Sequence, residues 1–121
     1  MPKGTFTAVF VVSLAVLCPP EVSAQVPIPD TAASRYIGQT VTVEGLVVSV
    51  HTSRAGNAFL NFGAAYPNQV FSVVIFRAAA ARFGDLHRWE GKRVRVTGRI
   101  QLYQGKPEII LRDPEAIAVA P

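Results

Sequence analysis

The chain is poor in the residues that carry most protein chemistry. It has one cysteine, one tryptophan, one methionine, two histidines and 17% charged residues, against about a quarter charged in an ordinary soluble domain. The lone Cys18 excludes an internal disulfide and any paired-cysteine metal or redox motif. His51 and His87 lie in different segments, and neither has another His, Asp or Glu at tight helical ligand spacing, so no metal site is expected. Asp85, two residues before His87, reads as a helix cap after Gly84. The seven carboxylates that follow residue 24 are scattered and no Gly-x-Ser-x-Gly elbow occurs, so neither catalysis nor a cofactor is expected.

What is present at the start is an apolar run, Phe6 to Leu17, after Lys3, followed by "CPPEVSAQ". As a helix it would reach only about 18 Å, short of the roughly 30 Å hydrocarbon core of a bilayer. Val22-Ser23-Ala24 has the small-residue spacing of a signal-peptidase site, which predicts a leader over 1–24, cleavage after Ala24 and a secreted or periplasmic product. The residue before Cys18 is Leu17, where lipoprotein signals carry a small residue, which argues against lipidation. No stable membrane insertion is expected once the leader is gone. The remaining domain, 25–121, has no thiol and must hold together by its core alone.

The domain is punctuated by a repeated frame. "GQTVTVEG" (38–45) and "GKRVRVTG" (91–98) share Gly-x-x-Val-x-Val-x-Gly. Valines alternating between the glycines demand extended chain, so neither copy is a phosphate-cradling loop. Around them, Asp30 is expected to cap a short helix, "TAASRYI", stopped by Gly38. In "TVTVEGLVVSVHT" the apolar parity shifts at Gly45, which predicts a bend there with Leu46, Val48 and Val50 facing inward. "AFLNF" and "VFSVVIF" read as strands, the second covered on both faces. "RAAAARF" reads as a helix stopped by Gly84, and the alternation from Arg93 to Tyr103 is a strand. "EIILR" makes a last strand, and "DPEAIAVAP" trails off.

Five strands with a short N-terminal helix and a second helix between the third and fourth give the element order of an all-β OB-fold, a five-stranded Greek-key barrel. The segments "DTAASRYIGQTVTVEGLV", "FLNFGAAYPNQVFSVVIF" and "GKRVRVTGRIQLYQGKPEIIL" resemble the bacterial OB-fold domains related to the tRNA-anticodon-binding type, found alone or beside nucleases in exported proteins. The resemblance spans residues 30 to 113, with Leu60-Asn61-Phe62-Gly63 and Tyr66-Pro67 its most specific part. It implies the barrel and a nucleic-acid-binding role, and it transfers no ligand residue.

After residue 24 the chain retains Lys92, Lys106 and nine arginines against seven acids. Arg88, Lys92, Arg93, Arg95, Arg99 and Lys106 cluster within about twenty residues beside only Glu90 and Glu108, and arginine favours phosphate and planar partners. OB-folds that take single strands combine such cations with aromatic faces on which bases stack. The residues expected to bind single-stranded nucleic acid or another polyanion are therefore Phe62, Tyr66, Phe71, Arg77, Arg93, Arg95, Arg99, Tyr103 and Lys106. A competing expectation is an envelope protein-interaction or small-ligand module on the same barrel. The arginine row has a plainer reading too, as a solvated strand face kept from aggregating by its charge.

Overall fold

A computed structural model describes residues 26–121. The expected leader, its expected cleavage site and Cys18 lie outside the described residues. Seven strands form the domain: β1 (Ile28–Pro29), β2 (Thr40–Thr52), β3 (Ala58–Phe62), β4 (Phe71–Ile75), β5 (Arg93–Tyr103), β6 (Lys106–Ile110) and β7 (Ile117–Val119). Their order is β1-β2-β3-β4-β6-β5-β7, and an added β2–β5 pairing closes β2, β3, β4, β6 and β5 into a five-stranded barrel of the OB type. Among the described residues no helix is long and apolar enough to cross a membrane.

The two glycine frames are the barrel's closure. They run antiparallel to one another, with Val43 opposite Val96, Gly45 opposite Val94 and Gly98 opposite Val41. Their ends behave alike. Gly38 and Gly91 both have positive φ, +86° and +80°, and each donates its N–H across the ladder at 2.8 Å, to the carbonyls of Ile100 and Val47. The likeness extends to the flanks, since β1 adds to β2 beside Val43 and β7 adds to β5 beside Val96. The repeat is thus a local two-fold arrangement of two strands. The closing glycines serve a second need, close approach. A Cβ on Gly98 would stand 2.5 Å from Ile109 Cγ2, and one on Gly45 would stand 2.6 Å from Asp30 Oδ2 and 2.9 Å from Phe62 Cδ2.

That contact corrects the expected bend. Gly45 does not change the parity of β2: Val43, Gly45 and Val47 all face inward, while Leu46 and Val48 are exposed. The register shifts between Val47 and Ser49, so the bulge is at Val48, and only beyond it does Val50 pack on the core. Gly45 is small because the Asp30 carboxylate and the Phe62 ring occupy its space.

The helices also differ from expectation. Asp30–Tyr36 is a 3-10 helix with Pro29 at its N-cap and no side-chain cap, because the Asp30 carboxylate lies over Gly45 instead. "RAAAARF" divides into one α-helical turn, α1 (Arg77–Ala80), and a 3-10 turn, Ala81–Phe83, before Gly84 at φ +68°. The Asp85 carboxylate accepts from His87 N–H at 3.0 Å, capping the turn that buries Trp89. The tail does not trail off: Ile117 closes one end of the core from β7. All five residues of β4 are buried, as its continuous apolar run requires.

Candidate functional site

The outer faces of the short strands carry few polar residues, and the ladder brings one from each into line. Ser49 pairs with Asn61, Asn61 with Ser72, Ser72 with Glu108 and Glu108 with Gln101, one row across all five barrel strands. The centre of the row is satisfied and fixed. Asn61 Nδ2 donates to Ser49 Oγ at 3.2 Å, and Ser72 Oγ donates to Asn61 Oδ1 at 3.1 Å. Asn61 and Ser72 are only 2% and 7% exposed although they face away from the core, so these hydrogen bonds are made where water competes little.

Two loops rise over this row. The β5–β6 turn at Gln104 and Gly105, both at positive φ, carries Tyr103 and Lys106 as paired residues. The segment from Gly63 to Val70 returns to β3 where Val70 N–H donates to Phe62 O at 2.9 Å. Between them lies a groove of about 440 Å³ floored by Asn61, Ser72 and Glu108, walled by Tyr66 and Tyr103 and ended by His51 and Phe59. Tyr66 and Tyr103 are 71% and 59% exposed. The His51 and Phe59 rings stack with centroids 6.3 Å apart and planes at 26°.

The groove is short of free cations, and its floor holds a carboxylate without a partner. Lys106 lines it, but its ammonium donates to the backbone carbonyls of Pro67 and, at 3.1 Å, Gln69, strapping one loop to the other hairpin. Glu108 forms no ion pair among the described residues, and burial raises its pKa above the ordinary carboxylate value. The buried amide oxygen of Gln69, another lining residue, has no hydrogen-bond partner.

Of the nine residues expected to bind, the groove gathers three: Tyr66, Tyr103 and Lys106. Phe62 and Phe71 must be corrected. Both are fully buried, edge to face at 5.1 Å inside the barrel, and offer no face to a ligand. Arg77 begins α1, where its N–H donates to Asn57 Oδ1 at 2.9 Å and its side chain covers Gly56. Arg93 and Arg95 project from the β2–β5 sheet and converge on Glu44, at 3.2 and 2.9 Å. Hydrogen bonds from Arg95 and then Arg93 hold the Glu44 carboxyl below its ordinary pKa. Arg99 stands over Gly38 and does not line the groove. Lys106 is a strap here, with its donors directed at carbonyls in place of a free phosphate contact.

Sequence reasoning missed Asn61, Ser72, Glu108, His51 and Phe59 as lining residues. The legible signal was a polar residue at an outward position within each of "AFLNF", "FSVVI" and "KPEII", the last carrying two, Lys106 and Glu108. Among the described residues no group of three or more His, Cys, Asp or Glu could hold a metal ion.

No family model matches the sequence, and no curated protein matches it. Among solved structures, the chain is similar to one described as an aspartyl-tRNA synthetase from Leishmania major Friedlin, with a TM-score of 0.56 and 12% sequence identity. The match covers 88% of this chain and 22% of that one, so this chain corresponds to about a fifth of the enzyme's length. At that identity the likeness is one of fold: a barrel of this type also forms part of a tRNA synthetase.

Proposed function

We propose that the chain is a non-catalytic, bacterial OB-fold module, exported by its leader, that binds single-stranded nucleic acid by holding bases in the groove between the 63–70 segment and the β5–β6 hairpin. The observation that carries this reading is the pairing of two exposed tyrosines over a buried polar row on the barrel's outer face. In OB-folds that face, with the loops at its ends, is where oligonucleotides and oligosaccharides bind. Tyr66 and Tyr103 supply stacking surfaces, each contributing about 1–3 kcal/mol per base. On the floor, Asn61 and Ser72 hold one another in place, and Glu108 has hydrogen-bonding capacity left for a base edge. Backbone attraction is the smaller part, because Lys106 is engaged by carbonyls and Arg93 and Arg95 share Glu44.

Fluorescence anisotropy of a labelled oligonucleotide, repeated over a salt series, tests the reading. Binding is expected at low salt with a log-log slope of about −2 or shallower, the equivalent of no more than three neutralised phosphates at about −0.7 each. Replacing both Tyr66 and Tyr103 by Ala is expected to weaken it by about thirtyfold or more, from two stacking contacts. Absence of binding at low salt, or an unchanged affinity of the double variant, overturns the proposal. A second reading, an envelope protein-interaction or small-ligand module, draws support from the unpaired Glu108 carboxylate in a groove without a free cation. A discrete protein partner on purification, with no excess absorbance at 260 nm, favours that alternative.

A further inference from the structure

We infer that Glu108 makes the groove selective for guanine, by accepting from the two adjacent donors on that base's Watson–Crick edge. The inference rests on the base-binding reading above and adds to it which base the groove admits.

The groove's polar groups are unequal in what they lack. Asn61 and Ser72 already satisfy one another and Ser49. Lys106 directs its donors to the Pro67 and Gln69 carbonyls. On the floor itself, the Glu108 carboxylate is the group left without a hydrogen-bond or ion-pair partner, and beside it the buried Gln69 amide oxygen is unpartnered too. A half-buried carboxylate without a cation is costly to keep, and its raised pKa reports that cost. A ligand that presents donors there removes it, whereas a ligand that presents a carbonyl aggravates it.

The four bases differ sharply on that criterion. Guanine carries N1–H and N2–H₂ side by side, a pair that matches the two oxygens of one carboxylate. Cytosine and adenine each present one exocyclic amino donor beside a ring-nitrogen acceptor. Thymine and uracil present a single N–H between two carbonyls, so the carboxylate meets lone pairs on either side. The expected order is guanine first, cytosine and adenine next, thymine or uracil last. Charge-assisted bidentate pairs are among the stronger hydrogen-bond arrangements, and a good bidentate pair commonly discriminates by about tenfold to a hundredfold.

The test uses four labelled oligothymidines identical but for one central position, dG, dC, dA or dT, with competition against the unlabelled strands at pH 7. Wild-type protein is expected to bind the dG strand at least about tenfold more tightly than all-dT. Glu108→Gln, which keeps the side chain's shape but replaces one acceptor by a donor, is expected to bring the dG and dT affinities within about threefold of each other. A cooperative urea transition followed by Trp89 fluorescence, matching that of wild type, shows that the variant is folded. Equal affinities of the four strands for wild type overturn the guanine assignment and leave base binding standing. A guanine preference that survives in Glu108→Gln overturns the role of Glu108. If none of the strands binds, base binding itself fails, and the assignment with it.

Discussion

Replacing Gly98 by Ala tests why the glycine frame has its form. A Cβ there would stand 2.5 Å from Ile109 Cγ2, more than 1 Å inside the roughly 3.5–4.0 Å at which carbon atoms attract. Neither side retreats easily. Gly98 faces Val41 across the β2–β5 ladder, and Ile109 is fully buried and paired with Ile100 across β5–β6. Overpacking of this kind costs about 1–3 kcal/mol, which lowers the Tm of a domain this size by about 4–20 °C. Gly91 in the same frame supplies the control. Nothing lies within 4 Å of its added Cβ, but its φ is +80°, so Ala there costs about 1–2 kcal/mol through the backbone alone. Urea unfolding followed by Trp89 fluorescence should therefore separate the two in an Ile109→Ala background. Truncating Ile109 costs about 2–5 kcal/mol by itself, and it should then absorb the Gly98→Ala substitution at little further cost while leaving the Gly91→Ala cost intact. Strict additivity of Gly98→Ala and Ile109→Ala refutes the close-approach account, because clashing neighbours must show coupling.

Two further outcomes follow from the charged groups. Glu44 is held below its ordinary pKa of 4.5 by Arg95 and Arg93, so the stability it contributes is present above that value and is lost as pH falls through the lowered folded value; a urea-midpoint profile from pH 7 down to pH 3 should fall less steeply for Glu44→Gln than for wild type, and parallel profiles would refute the pairing. Replacing Lys106 by Met frees the Pro67 and Gln69 carbonyls and should speed hydrogen exchange across 63–70 and weaken oligonucleotide binding, yet leave the salt slope of the remaining binding unchanged; a slope shallower by about 0.7 would show instead that Lys106 contacts a phosphate.

The barrel was legible because it rests on local patterns. Valines at alternate positions between glycines specify strands whatever lies around them, and Gly38, Gly84 and Gly91 mark turns through their own backbone freedom, all at positive φ. The site of the bulge was not legible. Leu46 and Val48 look like core residues by composition, and only the presence of the Asp30 carboxylate and the Phe62 ring over Gly45 keeps the first half of β2 in unbroken parity. That contact joins residues 15 and 17 positions away from Gly45 on either side, beyond the reach of any periodicity in β2 itself. Phe62 and Phe71 misled for a related reason. A phenylalanine beside a loop in sequence gives no sign of which way the pleat turns it, and here both turn inward.

The groove was least legible because its parts are individually ordinary. Asn61 and Ser72 are single polar residues in apolar strands, Glu108 shares its strand with Lys106, and the three become a row only through the register of β3, β4 and β6. Conversely, the feature that stood out most in the sequence, the Arg93 and Arg95 pair in the second glycine frame, meets the one acid in the first frame, Glu44, which lies directly across the ladder from Arg95 and diagonally from Arg93. Opposite charges at paired positions stabilise and register a two-strand contact. The substitution of arginines for the two threonines Thr40 and Thr42 between the two frames therefore has a structural account in the closure of the barrel. Under the proposed function, ligand recognition falls instead to residues such as Glu108, which the fold leaves without a partner.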